Sequence, residues 1–254
     1  DFLTGLSTVI TCLFVLTGCL LDRVQEVKAQ SCDFEKHFTY DAGQVTTLTF
    51  HEPVLLKSDV ERMLGLEPWE SSQGDQRLSH RYRFVQVAAM EPSGEILDGE
   101  IWDFELVYVA DQGDWRLATV SMPGVVGHLV DDDAAVRAAD KACDAAWGWS
   151  VRGITQSLQA EDLALVPGRE ALVTALGAPT GSDAGERRLT YAFRGLESEE
   201  QQEPGAGILA KFTILYDEQD RPGYLESTFR GLRAVADFQS MEARLSYRGG
   251  GVKK

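Results

Sequence analysis

Polar and apolar positions alternate with period two in four stretches of this chain, and the stretches form two pairs. Arg81-Tyr82-Arg83-Phe84 and Thr190-Tyr191-Ala192-Phe193 read as strands, as do Phe104-Glu105-Leu106-Val107-Tyr108 and Phe212-Thr213-Ile214-Leu215-Tyr216. The latter two each run into a polar turn carrying Asp and Gly, Asp111-Gln112-Gly113-Asp114 or Asp217 through Gly223. A further strand is predicted after each turn, around Leu117–Ser121 and Leu225–Phe229. Ahead of each set lies a short helix stopped by Gly with Pro close behind: Ser58 to Gly65 and Pro68, then Gly168 to Gly177 and Pro179. Ser58 and Glu61 have capping-box spacing. Longer helices are predicted over 21–36 and 132–147, the second led by Asp131, Asp132 and Asp133, where acidic groups favour a helix N-terminus. Calcium binding is a weak competing use of that acidic run, because the spaced ligands of a calcium loop are absent.

These features recur in the same order at a period of about 110 residues. Ser31-Cys32-Asp33 and Ala142-Cys143-Asp144 fall inside the same period. The expected fold is α+β, a tandem repeat of two units, each with helices packed on a three- to four-stranded antiparallel sheet. The expected divisions are a signal over 1–18, a first unit over 19–124, a second over 125–232 and a C-terminal extension over 233–254. Met90–Glu100 and Glu197–Gly207 read as long strand connections, and the acidic run within the latter as a solvated loop.

A helix ending in Leu-Gly-x-Pro, then a Tyr-x-Phe strand, then a Phe-x-Ile/Leu-x-Tyr strand with an Asp-rich turn resembles the SmpA/OmlA-type lipoprotein domain. That family includes an accessory subunit of the outer-membrane β-barrel assembly machine, and its fold is shared with tandem-repeat β-lactamase inhibitor proteins. The resemblance implies a non-catalytic binding module at the periplasmic face of the outer membrane.

The N-terminal stretch from Phe2 to Leu21 carries no charge and contains Leu16-Thr17-Gly18-Cys19. A short apolar run ending in small residues is how a secretory signal looks, and this ending resembles the lipobox of bacterial lipoproteins. The resemblance implies cleavage before Cys19 and transfer of acyl chains, such as palmitate, to its thiol. A membrane span and an ordinary secretory signal are the competing readings; Thr, Ser and Gly dilute the run as a span. No Lys or Arg precedes the run, so the basic start of a signal is expected upstream of residue 1. Leu20 stands where an Asp would hold such a lipoprotein at the inner membrane, which points to the outer membrane.

Net charge is −16, with 9 basic against 19 acidic residues over 19–125 and 15 against 20 over 126–254. Neither half offers the basic footprint of nucleic-acid binding. An acidic surface also disfavours lying on anionic lipid, so contact with the membrane is expected through the acyl chains on Cys19. Asn is absent, which removes N-linked glycosylation. Cys32 and Cys143 form an even pair outside the reducing cytosol, read as a disulfide or as two buried thiols.

Motifs for chemistry are missing. There is no Gly-x-Ser-x-Gly, Ser-x-x-Lys or phosphate-binding Gly-rich loop, and His37, His51, His80 and His128 lack metal-ligand spacing. No cofactor is expected. Trp147 and Trp149 read as core, and Trp69 as an interface anchor or an edge cover. The leading expectation is a non-enzymatic, lipid-anchored periplasmic protein that binds an envelope protein or supports the envelope. A cell-wall hydrolase would need a pocket of convergent carboxylates, and a lipid or small-ligand carrier would need a continuous apolar cavity.

Overall fold

The computed structural model describes residues 20, 22–90, 96–144, 154–183, 185, 187–196, 209–230 and 232–247. Cys19 and all of the apolar N-terminal run except Leu20, Trp147, Trp149, the acidic run from Glu197 and the tail from Arg248 lie outside them.

The first half of the chain supplies six strands: β1 (Phe38–Ala42), β2 (Val45–Phe50), β3 (Glu70–Gln73), β4 (Arg77–Met90), β5 (Ile96–Asp111) and β6 (Asp114–Pro123). The second supplies β7 (Ile154–Ser157), β8 (Gly181–Ser182), β9 (Arg188–Leu196), β10 (Ala210–Tyr216), β11 (Pro222–Phe229), β12 (Leu232–Asp237) and β13 (Glu242–Tyr247). All pair antiparallel in one sheet ordered β1-β2-β6-β5-β4-β9-β10-β11-β12-β13-β7, with β3 and β8 as short flanking partners of β4 and β9.

The expected α+β tandem of two separate units is thereby overturned. The reason lies in β4, which is long enough to pair twice along one edge. Its Leu78–Arg81 segment binds β3, and its Arg83–Gln86 segment binds Phe193–Leu196 of β9. Strand β9 does the mirror of this, giving Leu189 and Thr190 to β8. Open edges that would bound two small sheets are instead joined backbone to backbone. Two further expectations change. Within Met90–Glu100, Met90 ends β4 and 96–100 open β5, while 91–95 lie outside the described residues. Residues 233–247, read as part of an extension, lie in or between β12 and β13 inside the sheet.

Helices are α1 (22–31), α2 (Phe34–His37), α3 (Lys57–Leu64), α4 (Gly124–Leu129), α5 (Asp132–Asp144) and α6 (Arg169–Leu176), with a short 3-10 helix over Ala160–Leu165. The short helices α3 and α6 end at Gly65 and Gly177, both at positive φ (54° and 70°), a conformation glycine adopts without a Cβ penalty. The expected Ser58–Glu61 cap is replaced. Leu56 is the N-cap, and its N–H donates to the Asp59 carboxylate at 2.9 Å. At α5, the Asp131 carboxylate accepts the Ala134 N–H at 2.7 Å, so the acidic run caps a helix.

Side chains alternate across the strands, and the inward set is aromatic: Tyr82 and Phe84, Phe104 and Tyr108, Tyr191 and Phe193, Phe212 and Tyr216. Two core clusters result, and Phe84 packs against both. Trp102 of β5 belongs to the cluster of the second half, with its ring 5.1 Å from Phe193. The outward face carries ion pairs instead, including the two-point Arg83–Asp103 pair (2.8 and 2.9 Å) and Arg233–Glu226 at 2.6 Å.

Candidate functional site

Helices α3, α4 and α6 do not close over the middle of the sheet. Between them lies a cleft of about 490 Å³ whose wall is apolar throughout. Its floor is built from Tyr82, Phe84, Trp102, Phe104 and Leu106 on one side of the β4–β9 seam and Phe193, Ala210, Phe212 and Phe229 on the other. Val60, Met63 and Leu64 of α3 overhang it, Leu129 of α4 and Leu176 of α6 face them, and Leu117, Val120 and Met122 of β6 complete the wall. None of the described lining residues is an Asp or Glu. The volume falls in the usual range for small-molecule sites. Sealed and empty, a void this size would cost on the order of 10 kcal/mol, as much as a whole domain's stability. This one opens outward beside Met63, which is 43% exposed.

The overhanging helix is pinned at both ends. At its start the Arg23 guanidinium of α1 donates twice to Asp59 (2.6 and 2.7 Å). Burial alone would raise the Asp59 carboxyl, but the Arg23 and Leu56 hydrogen bonds outweigh it and hold it below the ordinary value. At its end Arg230, in the turn after β11, donates to the carbonyls of Leu64 and Gly65. A cation on the last carbonyls opposes the negative end of the helix dipole. A Cβ at position 65 would collide with that guanidinium, a second reason for glycine there.

Beneath α3 sit three buried polar residues, of which Tyr82 lines the cleft and His80 and Tyr108 do not. His80, Tyr82 and Tyr108 are 3%, 2% and 0% exposed. His80 Nδ1 and both tyrosine hydroxyls lack a hydrogen-bond partner among the described residues. The two hydroxyls meet each other in a marginal contact that acts on both titrations as a hydrogen bond does, although it falls outside strict hydrogen-bond geometry. Burial pushes Tyr82 up to about 12 and Tyr108 further up, and it lowers His80. All three are therefore neutral near pH 7.

The other residues singled out from sequence are dispersed. Cys32 and Cys143 form a disulfide with Cα atoms 5.0 Å apart, tying the end of α1 to the end of α5. His37 lies 3.0 Å from Glu52, His51 bonds Thr39 and the Lys36 carbonyl, and His128 is exposed. Trp69 stacks under Arg83, whose guanidinium carbon is 4.6 Å from the ring centroid. Trp115 packs at the edge of the first core cluster. Among the described residues there is no cluster of three or more metal-ligating side chains, and no helix long and apolar enough to cross a membrane. Sequence reading found the strands that make the cleft but not the cleft, because its floor exists only once the two halves share a sheet. The buried trio was missed for the same reason; the one available hint was His80 on the inward face of an aromatic strand.

No protein-family model, curated protein or solved structure matches this chain.

Proposed function

We propose that this chain is a non-catalytic protein of the bacterial envelope, tethered through acyl chains on Cys19 to the periplasmic face of the outer membrane, that shelters an apolar ligand in the cleft. The observation that carries this reading is the continuous apolar cleft across the β4–β9 seam. Shelter of an acyl-type chain suits a wall without carboxylates better than hydrolysis does, since acid–base chemistry needs titratable groups within hydrogen-bond reach of the reacting atoms. The sheet's outward face, laced with ion pairs, suits solvent or a polar protein partner and not a lipid. The lipobox-like Leu16-Thr17-Gly18-Cys19 and the resemblance to SmpA/OmlA-type domains support the location.

The test is binding of an apolar fluorescent probe, N-phenylnaphthylamine, to the purified mature chain. Saturable binding with micromolar or tighter affinity is expected, together with its loss in Ala210→Trp, which grows into the cleft from β10. A probe signal unchanged by Ala210→Trp in a folded variant would remove the cleft as the site.

A further inference from the structure

We infer that the cleft's occupant is one of the protein's own acyl chains on Cys19, which folds back along α3 and enters beside Met63 when the protein leaves the bilayer. This rests on the reading that Cys19 is acylated and that the cleft is a ligand site.

The placement of two helices carries it. Helix α1 ends at the rim of the sheet. There Gln30 donates to the Glu52 carbonyl beyond β2 at 2.9 Å, and Cys32 is bonded to Cys143 of α5, which packs on the edge strand β1. Traced backwards from that rim, α1 runs inward to α3, where Arg23 grips Asp59. Helix α3 starts beside β6, where Leu56 bridges to Arg116, and it ends under Arg230 in the turn after β11. From the Arg23–Asp59 pair onwards, α1 read backwards and α3 read forwards therefore both head for the middle of the sheet.

The steps beyond that pair are short. Leu20 is helical and stands three residues before Arg23, about 4.5 Å along the axis, and the Cys19 Cα follows one peptide on, about 3.8 Å away. Met63, at the open side of the cleft, lies one turn beyond Asp59, about 6 Å. An acyl chain that fills one leaflet of a ~30 Å hydrocarbon core is about 15 Å long, roughly twice either step.

The wall fits this occupant in a way it fits few free ligands. It offers no polar atom to a head group, and a chain fixed at Cys19 needs none, because its polar linkage stays outside the mouth. Off the bilayer, every methylene gains by leaving water, and the tether holds the chain at an effective concentration of the order of millimolar. Within the bilayer, lipid tails offer equally apolar surroundings, so the chain is released to the membrane.

The experiment uses the chain from residue 19 made without acylation, in which Cys19 is the one thiol outside the Cys32–Cys143 bond. Cys19 is capped with N-dodecylmaleimide or, as control, with N-ethylmaleimide, and N-phenylnaphthylamine binding is titrated without detergent. The ethyl-capped chain is expected to bind the probe, and the dodecyl-capped chain at least tenfold more weakly, by a factor that does not change when the protein is diluted. A dodecyl group placed instead on Ser240→Cys, in a chain carrying Cys19→Ala, should leave probe binding intact. Ser240 is exposed, in the turn after β12, at the end of β11 opposite Phe229. Undiminished binding by the dodecyl-capped chain, or an equal loss from Ser240→Cys, would overturn this occupant and leave the cleft to a free ligand. Failure of the ethyl-capped chain to bind would overturn the cleft reading with it. Membrane-extracted protein without acyl mass would overturn acylation, and this occupant, while leaving the cleft.

Discussion

Arg23 and Asp59 form a two-point ion pair, 2.6 and 2.7 Å, that fastens α1 to the first turn of α3. Asp162 repeats the device in the second half. It accepts the Gln159 N–H at 2.7 Å and meets Lys141 of α5 at 3.1 Å. In each half a buried aspartate therefore starts a short helix and receives a cation from the long helix before it.

Removing the Asp59 charge should be costly because it strands Arg23. Asp59→Asn is expected to lower unfolding free energy by about 2–4 kcal/mol, measured by urea denaturation. The carboxyl is depressed in the folded state, so its contribution is fully present above its unfolded value and is lost as pH falls through the folded one. An acid titration from pH 5 to pH 2 should therefore destabilise the native protein more steeply than Asp59→Asn.

The Cys32–Cys143 bond closes a separation of 111 residues. Chain-entropy arguments give about 4–5 kcal/mol for a loop this long. Cys32→Ser/Cys143→Ser should lose a stability of that order, and non-reducing gels should show the native chain running faster than the reduced one.

Tyr108 offers a test in the opposite direction. Its hydroxyl is buried with only a marginal contact to that of Tyr82, so the Tyr108→Phe protein should be at least as stable as the native one, with a melting temperature raised by roughly 2–4 °C per kcal/mol regained. A clear fall would show that the hydroxyl is satisfied in solution, by water for example.

Arg230→Ala should free the end of α3 without touching the cleft wall. Hydrogen exchange over residues 57–65 should quicken, and probe association and release should both accelerate with little change at α6.

Lipidation predicts its own readout. Intact mass of the membrane-extracted protein should correspond to a chain beginning at Cys19 plus acyl mass, and Cys19→Ala should leave the protein unprocessed or mislocalised.

Legibility from sequence followed the range of the physics involved. Helix stops at Gly65 and Gly177 were readable because a positive φ at the helix end is a local demand that glycine meets. Tyr82-x-Phe84 and Phe212-x-Ile214-x-Tyr216 were readable because alternation with large side chains gives strong contrast. Strands β12 and β13 escaped because their inward positions include Ala234, Ala236 and Ala243, which barely stand out from their neighbours. The seam escaped altogether. Pairing of Arg83–Gln86 with Phe193–Leu196 is made by backbone groups about a hundred residues apart, and no side-chain period records it. With it went the cleft and the meeting of His80, Tyr82 and Tyr108.

That seam also governs how the chain can be cut and how it must fold. A fragment ending near residue 124 would leave the Arg83–Gln86 edge of β4 bare, beside half of an aromatic floor. Bare edges recruit other strands, and the nearest substitute for β9 is β4 of another fragment. Such a truncation should self-associate, with the edge of one copy standing in for the missing half of the other. In the intact chain the same pairing has to wait for distant segments to meet, so sheet completion is expected to be the slow step of folding. Until the second half arrives, that edge stays open to pairing with any other strand.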